Sequence, residues 1–322
     1  MRQYTVDQLV LRLQALKLVQ GPLAGVSSVP FRDLIWQYSQ PAWVYSEMTS
    51  CKTILSGSDV IKRRYLQTSH TEGPLCLQMA TSDPDECARA CAVLNQLDIS
   101  LVDLNVGCPV KKIRKRAQGS YLLSQPERLR SVLSAMRQSC HHPISVKIRV
   151  DGNSCDEYNA HVLDVINDVK PDFLVVHGRH YQDGYDVPCF VDQIAFFAQH
   201  ACCPVIGNGD VSDIAHVREM LLRGCAGVMV ARASVGAPWL IGQLQEQMGL
   251  IDHGQWVDCA ESWQVFLRHI QALSTFLGGE AFALRQACGL IKYYAKRNGF
   301  SHEQQAQVRS AKCLDDLVHL HV

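Results

Sequence analysis

The sequence predicts an α/β fold: a (β/α)8 TIM barrel followed by a small C-terminal helical domain. Three observations predict it. Eight short apolar runs recur between Leu18 and Val230, separated by longer segments with helical patterning. The runs are continuous rather than alternating, as parallel strands buried on both faces require. Polar residues sit at or near the ends of most runs, as expected where strand ends build one functional mouth.

The runs are Leu18–Pro22, Trp43–Glu47, Leu75–Met79, Leu101–Asn105, Ile144–Ile148, Phe173–His177, Val205–Asn208 and Gly227–Val230. Helix start signals lie between them. Ser82-Asp83-Pro84-Asp85-Glu86 combines a cap, a first-turn proline and acids near the helix N-terminus. Ser124-Gln125-Pro126-Glu127 repeats that logic, and Ser212-Asp213 opens another helix. A doubly wound sheet is the alternative. Eight units, with no GxGxxG after the first strand, favour the barrel. Residues 18–245 are assigned to it.

Residues 1–17 read as an amphipathic helical extension with Leu9, Leu11, Leu13 and Leu16 apolar and Thr5-Val6-Asp7 as its cap. The pattern assigns it no role. The strand–helix rhythm stops near residue 245. Residues 246–322 read as a linker, Gly249 to Gly254, then helices over Ala260–Leu277 and Glu280–Asn298 and a shorter closing segment. Gly278-Gly279 and Gly299 end helices.

The chain has 322 residues, 47% of them hydrophobic, 31 basic and 31 acidic. It is large enough for one big core and is not globally basic, so any nucleic-acid contact must come from a local patch. Fourteen irregularly spaced cysteines without a CxxC imply free thiols in a reducing, cytoplasmic setting. No signal peptide opens the chain. No apolar run approaches membrane-spanning length, and the Cys and His spacing disfavours structural zinc. No metal is expected.

One stretch concentrates chemistry. Leu101–Leu123 delivers an apolar run, a glycine turn presenting Cys108, and five basic residues in the six positions Lys111–Arg116. A thiol at an exposed strand end beside a cationic segment suggests a reactive cysteine facing a polyanion. Under barrel geometry, Glu47, Gln78, Asn105 with Cys108, Lys147, His177, Asn208 and Arg232 ring the same mouth.

Asn105, Gly107-Cys108-Pro109, Lys111, Gly119-Ser120 and Leu122-Leu123 resemble the signature of the tRNA-dihydrouridine synthases, FMN-dependent reductases of uridine in tRNA. The resemblance covers roughly Pro22 to Leu240 and weakens in the tail. It implies FMN as cofactor, NADPH as reductant and a tRNA D-loop uridine as substrate, with Cys108 donating the proton that accompanies hydride transfer. It implies cofactor contacts from Pro22, Leu23, Ala24, Gln78, Lys147, His177, Asn208, Gly209, Asp210, Ala231 and Arg232. The last two strand ends match the usual barrel position for a phosphate, and Lys147 would supply charge to the ring. Asn105 would read the uracil edge. Lys111, Arg179, Tyr185, Arg285 and Lys292 would face tRNA. Departures are Leu23 for a more usual methionine, Ala231-Arg232 for Gly-Arg, His180 where threonine is common, and the N-terminal helix. A monomer suffices. Alternatives are a flavin-dependent reductase of a free pyrimidine, a Schiff-base lyase using Lys147, and a tRNA-binding flavoprotein without turnover.

Overall fold

The structure, a computed structural model, describes residues 3–154 and 157–320. Within them lie nine parallel strands: β1 (Leu18–Gln20), β2 (Val44–Tyr45), β3 (Thr49–Ser50), β4 (Leu75–Ala80), β5 (Leu101–Val106), β6 (Ile144–Arg149), β7 (Phe173–His177), β8 (Val205–Asn208) and β9 (Gly227–Val230). β1 pairs with β9 on one side and β2 on the other, and β2 pairs with β4, so eight strands close into a barrel. β3 only extends the second position, pairing with the end of β4.

The interruption between β2 and β3 has a visible cause. Glu47 leaves the ladder and accepts the N–H of Gly25 at 2.6 Å, tying down the loop after β1. The predicted second strand, Trp43–Glu47, is therefore shorter than expected. The first also ends early, at Gln20, where Gly21 passes so close to Met229 that a Cβ would lie 2.7 Å from its sulfur.

Two of the expected caps form. Asp83 accepts from the N–H groups of Asp85 and Glu86 at the start of Pro84–Leu94, and Asp213 does the same for Ala215 and His216 at Ile214–Leu222. Gln125, before Pro126–Ser139, makes no side-chain cap bond; the proline at the helix start serves there instead.

The first helix, Val6–Leu16, is closed at its N-terminus by a reciprocal Thr5–Gln8 capping box. It plugs the bottom of the barrel. Leu9 and Leu13 join one apolar cluster with Val19, Trp43, Leu101, Phe173, Ile206 and Met229. Leu13 approaches Gly227 so closely that a Cβ there would sit 2.5 Å from its methyl. Leu11 points to solvent, 64% exposed. The extension is thus the barrel floor.

After Leu240–Gln247 come the helices Cys259–Leu277, Glu280–Asn298, His302–Ser310 and Leu314–Val318, so the closing segment is two short helices rather than one. Gly278 and Gly299 end the two long ones with positive φ. Their apolar faces belong to the same continuous core as the outer face of the barrel. Arg268 donates to Tyr38 and His269 packs on Phe31, fixing Cys259–Leu277 against Val29–Tyr38.

Leu13→Ala should lower stability by about 3 kcal/mol, the cost of a cavity under the barrel. Leu11→Ala should change it by less than about 0.5 kcal/mol. Urea midpoints of the two variants decide this; equal midpoints would mean that the helix is not the floor.

Candidate active site

The interior of the barrel changes character from bottom to top. Above the apolar floor, β5 inserts Asp103, which is fully buried. It accepts from Ser145 Oγ and, at 2.8 Å, from Gln78 Nε2. Gln78 Oε1 accepts from Asn105 Nδ2 at 2.9 Å. Asn105 Oδ1 in turn accepts the N–H groups of Gly107 at 3.2 Å and Cys108 at 2.8 Å. Burial pushes the Asp103 carboxyl up to about 6, against the lowering effect of these hydrogen bonds and of Lys147.

On the facing side, Asn105 lies in register with Lys147, and His177 with Asn208. Lys147 Nζ donates to Asn208 Oδ1 at 2.8 Å, and Asn208 Nδ2 donates to the Met229 carbonyl. Burial, then the neighbouring Arg149, lowers Lys147 to about 7. Burial, Lys147 and three arginines hold His177 well below its ordinary value, so its ring is neutral. The Arg179 guanidinium donates toward its Nε2 at 3.4 Å.

A cavity of about 790 Å³ opens above these groups. Pro22 and Leu23 form one wall, while Lys147, Arg149 and His177 lie among its inner lining. Gly209, Asp210, Ala231 and Arg232 line the phosphate-type end. Gly209 has φ +133° and Asp210 +51°, and a Cβ on Gly209 would meet the Cys189 sulfur at 2.5 Å. The backbone N–H groups of Asp210, Arg232 and Ala233 have no acceptor among the described residues. These three residues and the Arg232 side chain all line this end of the cavity. Ala231 has φ −119°, outside the left-handed region that favours glycine.

Cys108 is half-buried in the turn just after β5; like Gln78 and Asn105, it is not among the residues that line the cavity. Burial raises its thiol, opposed by Arg149 and a backbone N–H, so the group holds its proton at neutral pH. Its carbonyl accepts from both the N–H and the hydroxyl of Ser120. The second glycine turn of the signature therefore clamps the first.

Several expected contacts have other partners in the structure. Gln78 and Asn105 spend most of their hydrogen-bonding capacity on Asp103, on each other and on the Cys108 turn. Arg179 is 1% exposed, donates to the Val187 carbonyl and pairs with Asp210. It braces the loop after β7 rather than reaching a polyanion. Asp210 is shared with Arg232, so its carboxylate is committed to two guanidiniums. Tyr185 stacks on the Arg232 guanidinium at 3.5 Å. Within the basic run, Lys111, Lys112, Lys115 and Arg116 are exposed. Arg114 instead lies over the Tyr181 ring at 3.7 Å and donates to Ser120. Ala24 is exposed beside the cavity wall.

Arg285 and Lys292 are exposed on Glu280–Asn298, stacked on Phe282 and Tyr293. The residues of that helix that line the cavity are Tyr293, Lys296 and Arg297. Sequence reasoning left these out of the site, together with Asp103 and Arg149. An acid inside the apolar run LVDLN and a second cation two residues after Lys147 were the available signals.

A cavity at the barrel mouth lined by Lys147, Arg149, Arg179 and Arg232 defines a class: a barrel enzyme with a cationic mouth. Comparison narrows the class. The family model described as "Dihydrouridine synthase (Dus)" matches residues 18–316. The tRNA-dihydrouridine synthase B of Proteus vulgaris is 28% identical over 305 residues, covering 93% of this chain and 94% of that protein. That of Escherichia coli K12 is 28% identical over 292 residues, 88% and 89% of the two. Among solved structures, an old yellow enzyme homologue from Zymomonas mobilis superposes with TM-score 0.56 at 12% identity, covering 72% of this chain and 88% of that one. DHODH from Eimeria tenella in complex with ferulenol gives 0.52 at 13%, over 72% and 82%. These two share the fold. The chain belongs to the dihydrouridine synthase family, and it is an oxidoreductase. Among the described residues no helix is long and apolar enough to cross a membrane.

Lys147 carries the test of the cationic mouth. Its folded pKa, about 7, lies below the ordinary 10.5, so the native state binds fewer protons than the unfolded chain between those values. Stability from this group therefore rises as pH goes from about 7 to 10. Lys147→Met should stabilise the cofactor-free protein at pH 7 by ~1–2 kcal/mol, since the ammonium is partly open to the cavity. It should also flatten the rise. Thermal melts across that range check it; parallel profiles would show that the lysine is solvated like a surface one.

Proposed function

We propose that this protein reduces the 5,6 double bond of uridine in the tRNA D-loop, with FMN as bound cofactor, NADPH as reductant and Cys108 as proton donor. The observation that carries the reading is a proton-holding thiol in the turn after β5, electrostatically coupled to Arg149 of the cavity lining, within the family signature. The relatives' name supplies the polymer: they are tRNA-dihydrouridine synthases.

The cavity suits FMN. The N–H groups of Asp210, Arg232 and Ala233, with the Arg232 guanidinium, would hold its phosphate. Pro22 and Leu23 would flank the ring, and Lys147 would place positive charge beside it. Gly209 and Ala231 offer backbone rather than bulk at the phosphate end, while neutral His177 lines the wall. When bound, FMN supplies the hydride for C6 of the uracil ring. Cys108 gives its proton to C5, and the remaining N–H of the Asn105 amide points the base edge. A thiol protonated at neutral pH suits that role.

The base must leave its stack to enter the mouth, at a cost of a few kcal/mol that a loop keeps small. The exposed Lys111, Lys112, Lys115 and Arg116, beside the Cys108 turn, suit the flanking phosphates. Tyr185, 60% exposed at the rim, offers an aromatic face. Lys296 and Arg297 extend the positive rim onto the C-terminal helices, with Lys292 and Arg285 further along the same helix. A free pyrimidine would need none of these. Twelve of the cysteines are free thiols, which suits the reducing cytoplasm; one barrel with its C-terminal helices would act as a monomer.

An absorbance spectrum tests the reading. Flavin bands should bleach with NADPH and return anaerobically with uridine-containing tRNA but not with free uridine. Protein that stays featureless with added FMN would sink it, and return with free uridine would make the substrate a small pyrimidine. Cys108→Ala should keep flavin binding and its reduction, while reoxidation by tRNA slows by about 10²–10⁴-fold. Unchanged reoxidation would remove Cys108 from the donor role.

A further inference from the structure

We propose that Asp103 is a positioning residue for Cys108, acting through the side-chain amides of Gln78 and Asn105. The inference rests on the proposed reaction and says what holds its proton donor in place.

The argument is one of donor and acceptor direction. An ionised carboxylate only accepts hydrogen bonds. Asp103 takes the Ser145 hydroxyl on one oxygen, so whatever meets its other oxygen must present a donor. Gln78 therefore turns its NH2 toward Asp103 and its carbonyl oxygen away. That oxygen needs a donor in turn, and Asn105 supplies its NH2. Asn105 is then left with its oxygen facing the turn, where it accepts from Gly107 and Cys108. Flipping either amide would set donor against donor. One buried charge thus fixes the sense of two amides and the seat of the Cys108 backbone, two strands and a turn away from Ser145. Ser120 grips the Cys108 carbonyl from the other side, so the residue is held at both its N–H and its C=O.

Asp103 is fully buried and lies away from the cavity lining. The ionisable groups facing it are Tyr45 from β2, Cys76 from β4 and Lys147 from β6. Tyr45 and Cys76 are held protonated by burial, and Lys147 is the cation that favours the carboxylate. As pH falls through about 6, Asp103 gains a proton, becomes a donor, and no longer dictates the direction of the Gln78 amide. The constraint on Cys108 weakens in that direction only.

The test uses the full-length protein, cofactor-free and FMN-loaded, with Asp103→Leu and Asp103→Asn. Leucine fills similar space but accepts nothing. Asparagine keeps an oxygen for Gln78 while its NH2 faces the Ser145 oxygen. The first readout is iodoacetamide alkylation of Cys108, followed by peptide mass spectrometry with exposed Cys202 as internal reference. The second is the separate rates of flavin reduction by NADPH and reoxidation by tRNA.

Asp103→Leu should change the Cys108 alkylation rate, relative to Cys202, by roughly tenfold. It should slow reoxidation by a similar factor, with reduction and the KM for tRNA near wild type. Asp103→Asn should restore most of both. The wild-type alkylation profile should break near pH 6, and the break should vanish in Asp103→Asn. Wild-type Cys108 reactivity and reoxidation in Asp103→Leu would overturn the proposal. So would an equal slowing of flavin reduction, which would make Asp103 a general support of the barrel. If Asp103→Leu does not fold, Gln78→Met cuts the same chain, and unchanged Cys108 alkylation in the cofactor-free variant overturns the proposal as well. Should wild-type flavin resist reoxidation by tRNA, the reaction falls, while the alkylation arm still decides the role of Asp103.

Discussion

A closed barrel has one interior, and every polar group inside it must find its partner there. Water cannot reach the level of Asp103, where a carboxylate without donors would cost several kcal/mol. The groups around it are arranged accordingly. Ser145 and Gln78 satisfy its oxygens, and Lys147 sits one level higher on the neighbouring strand. Below lies an apolar floor completed by Leu9 and Leu13 from outside the sheet. Above lies the mouth. The parallel register sets this stratification, because it places side chains from neighbouring strands in layers across the barrel.

The same logic governs the cations at the mouth. Arg179 and Arg232 share the single carboxylate of Asp210. The shared charge leaves an excess of positive potential over three unengaged backbone donors. Arg179, almost wholly buried, fixes the loop from Tyr185 to Val187, and that loop places Tyr185 against Arg232. Each positive group thus has a structural tether and still contributes to the field in the cavity. An anion entering there meets donors that need no reorganisation.

How much of this was legible in the sequence depended on whether the relevant contact was local. The barrel strands were legible because burial on both faces leaves continuous apolar runs, and Asp83 and Asp213 because a cap acts within three residues. The break after Tyr45 was not, since its cause is the bond from Gly25 to Glu47. The N-terminal helix showed its apolar stripe, but only the closed barrel reveals what Leu13 covers. Arg114 looked like its exposed neighbours, and Arg179 like a free cation just past a strand end. Tyr181 and Asp210, both far along the chain, withdraw them from solvent. On Glu280–Asn298, choosing Lys296 over Lys292 for the mouth requires knowing how that helix lies on the barrel.

The proposed choice of Cys108 as proton donor rests on the same stratification. Three of the groups on or just after the barrel strands are candidate donors: His177 and Lys147, which line the cavity, and Cys108, in the turn after β5. His177 lies among four cations and under cover, so at neutral pH it has no proton to give. Lys147 is lowered toward neutrality and commits a hydrogen to Asn208. A positive neighbour would draw the Cys108 thiol the same way, and Arg149 does, but burial wins and the thiol remains protonated. Cys108 is also the group whose backbone is clamped from two sides, by Asn105 and by Ser120. Proton transfer to carbon rewards a donor that is both protonated and fixed in direction. Of the three, the thiol alone meets both conditions.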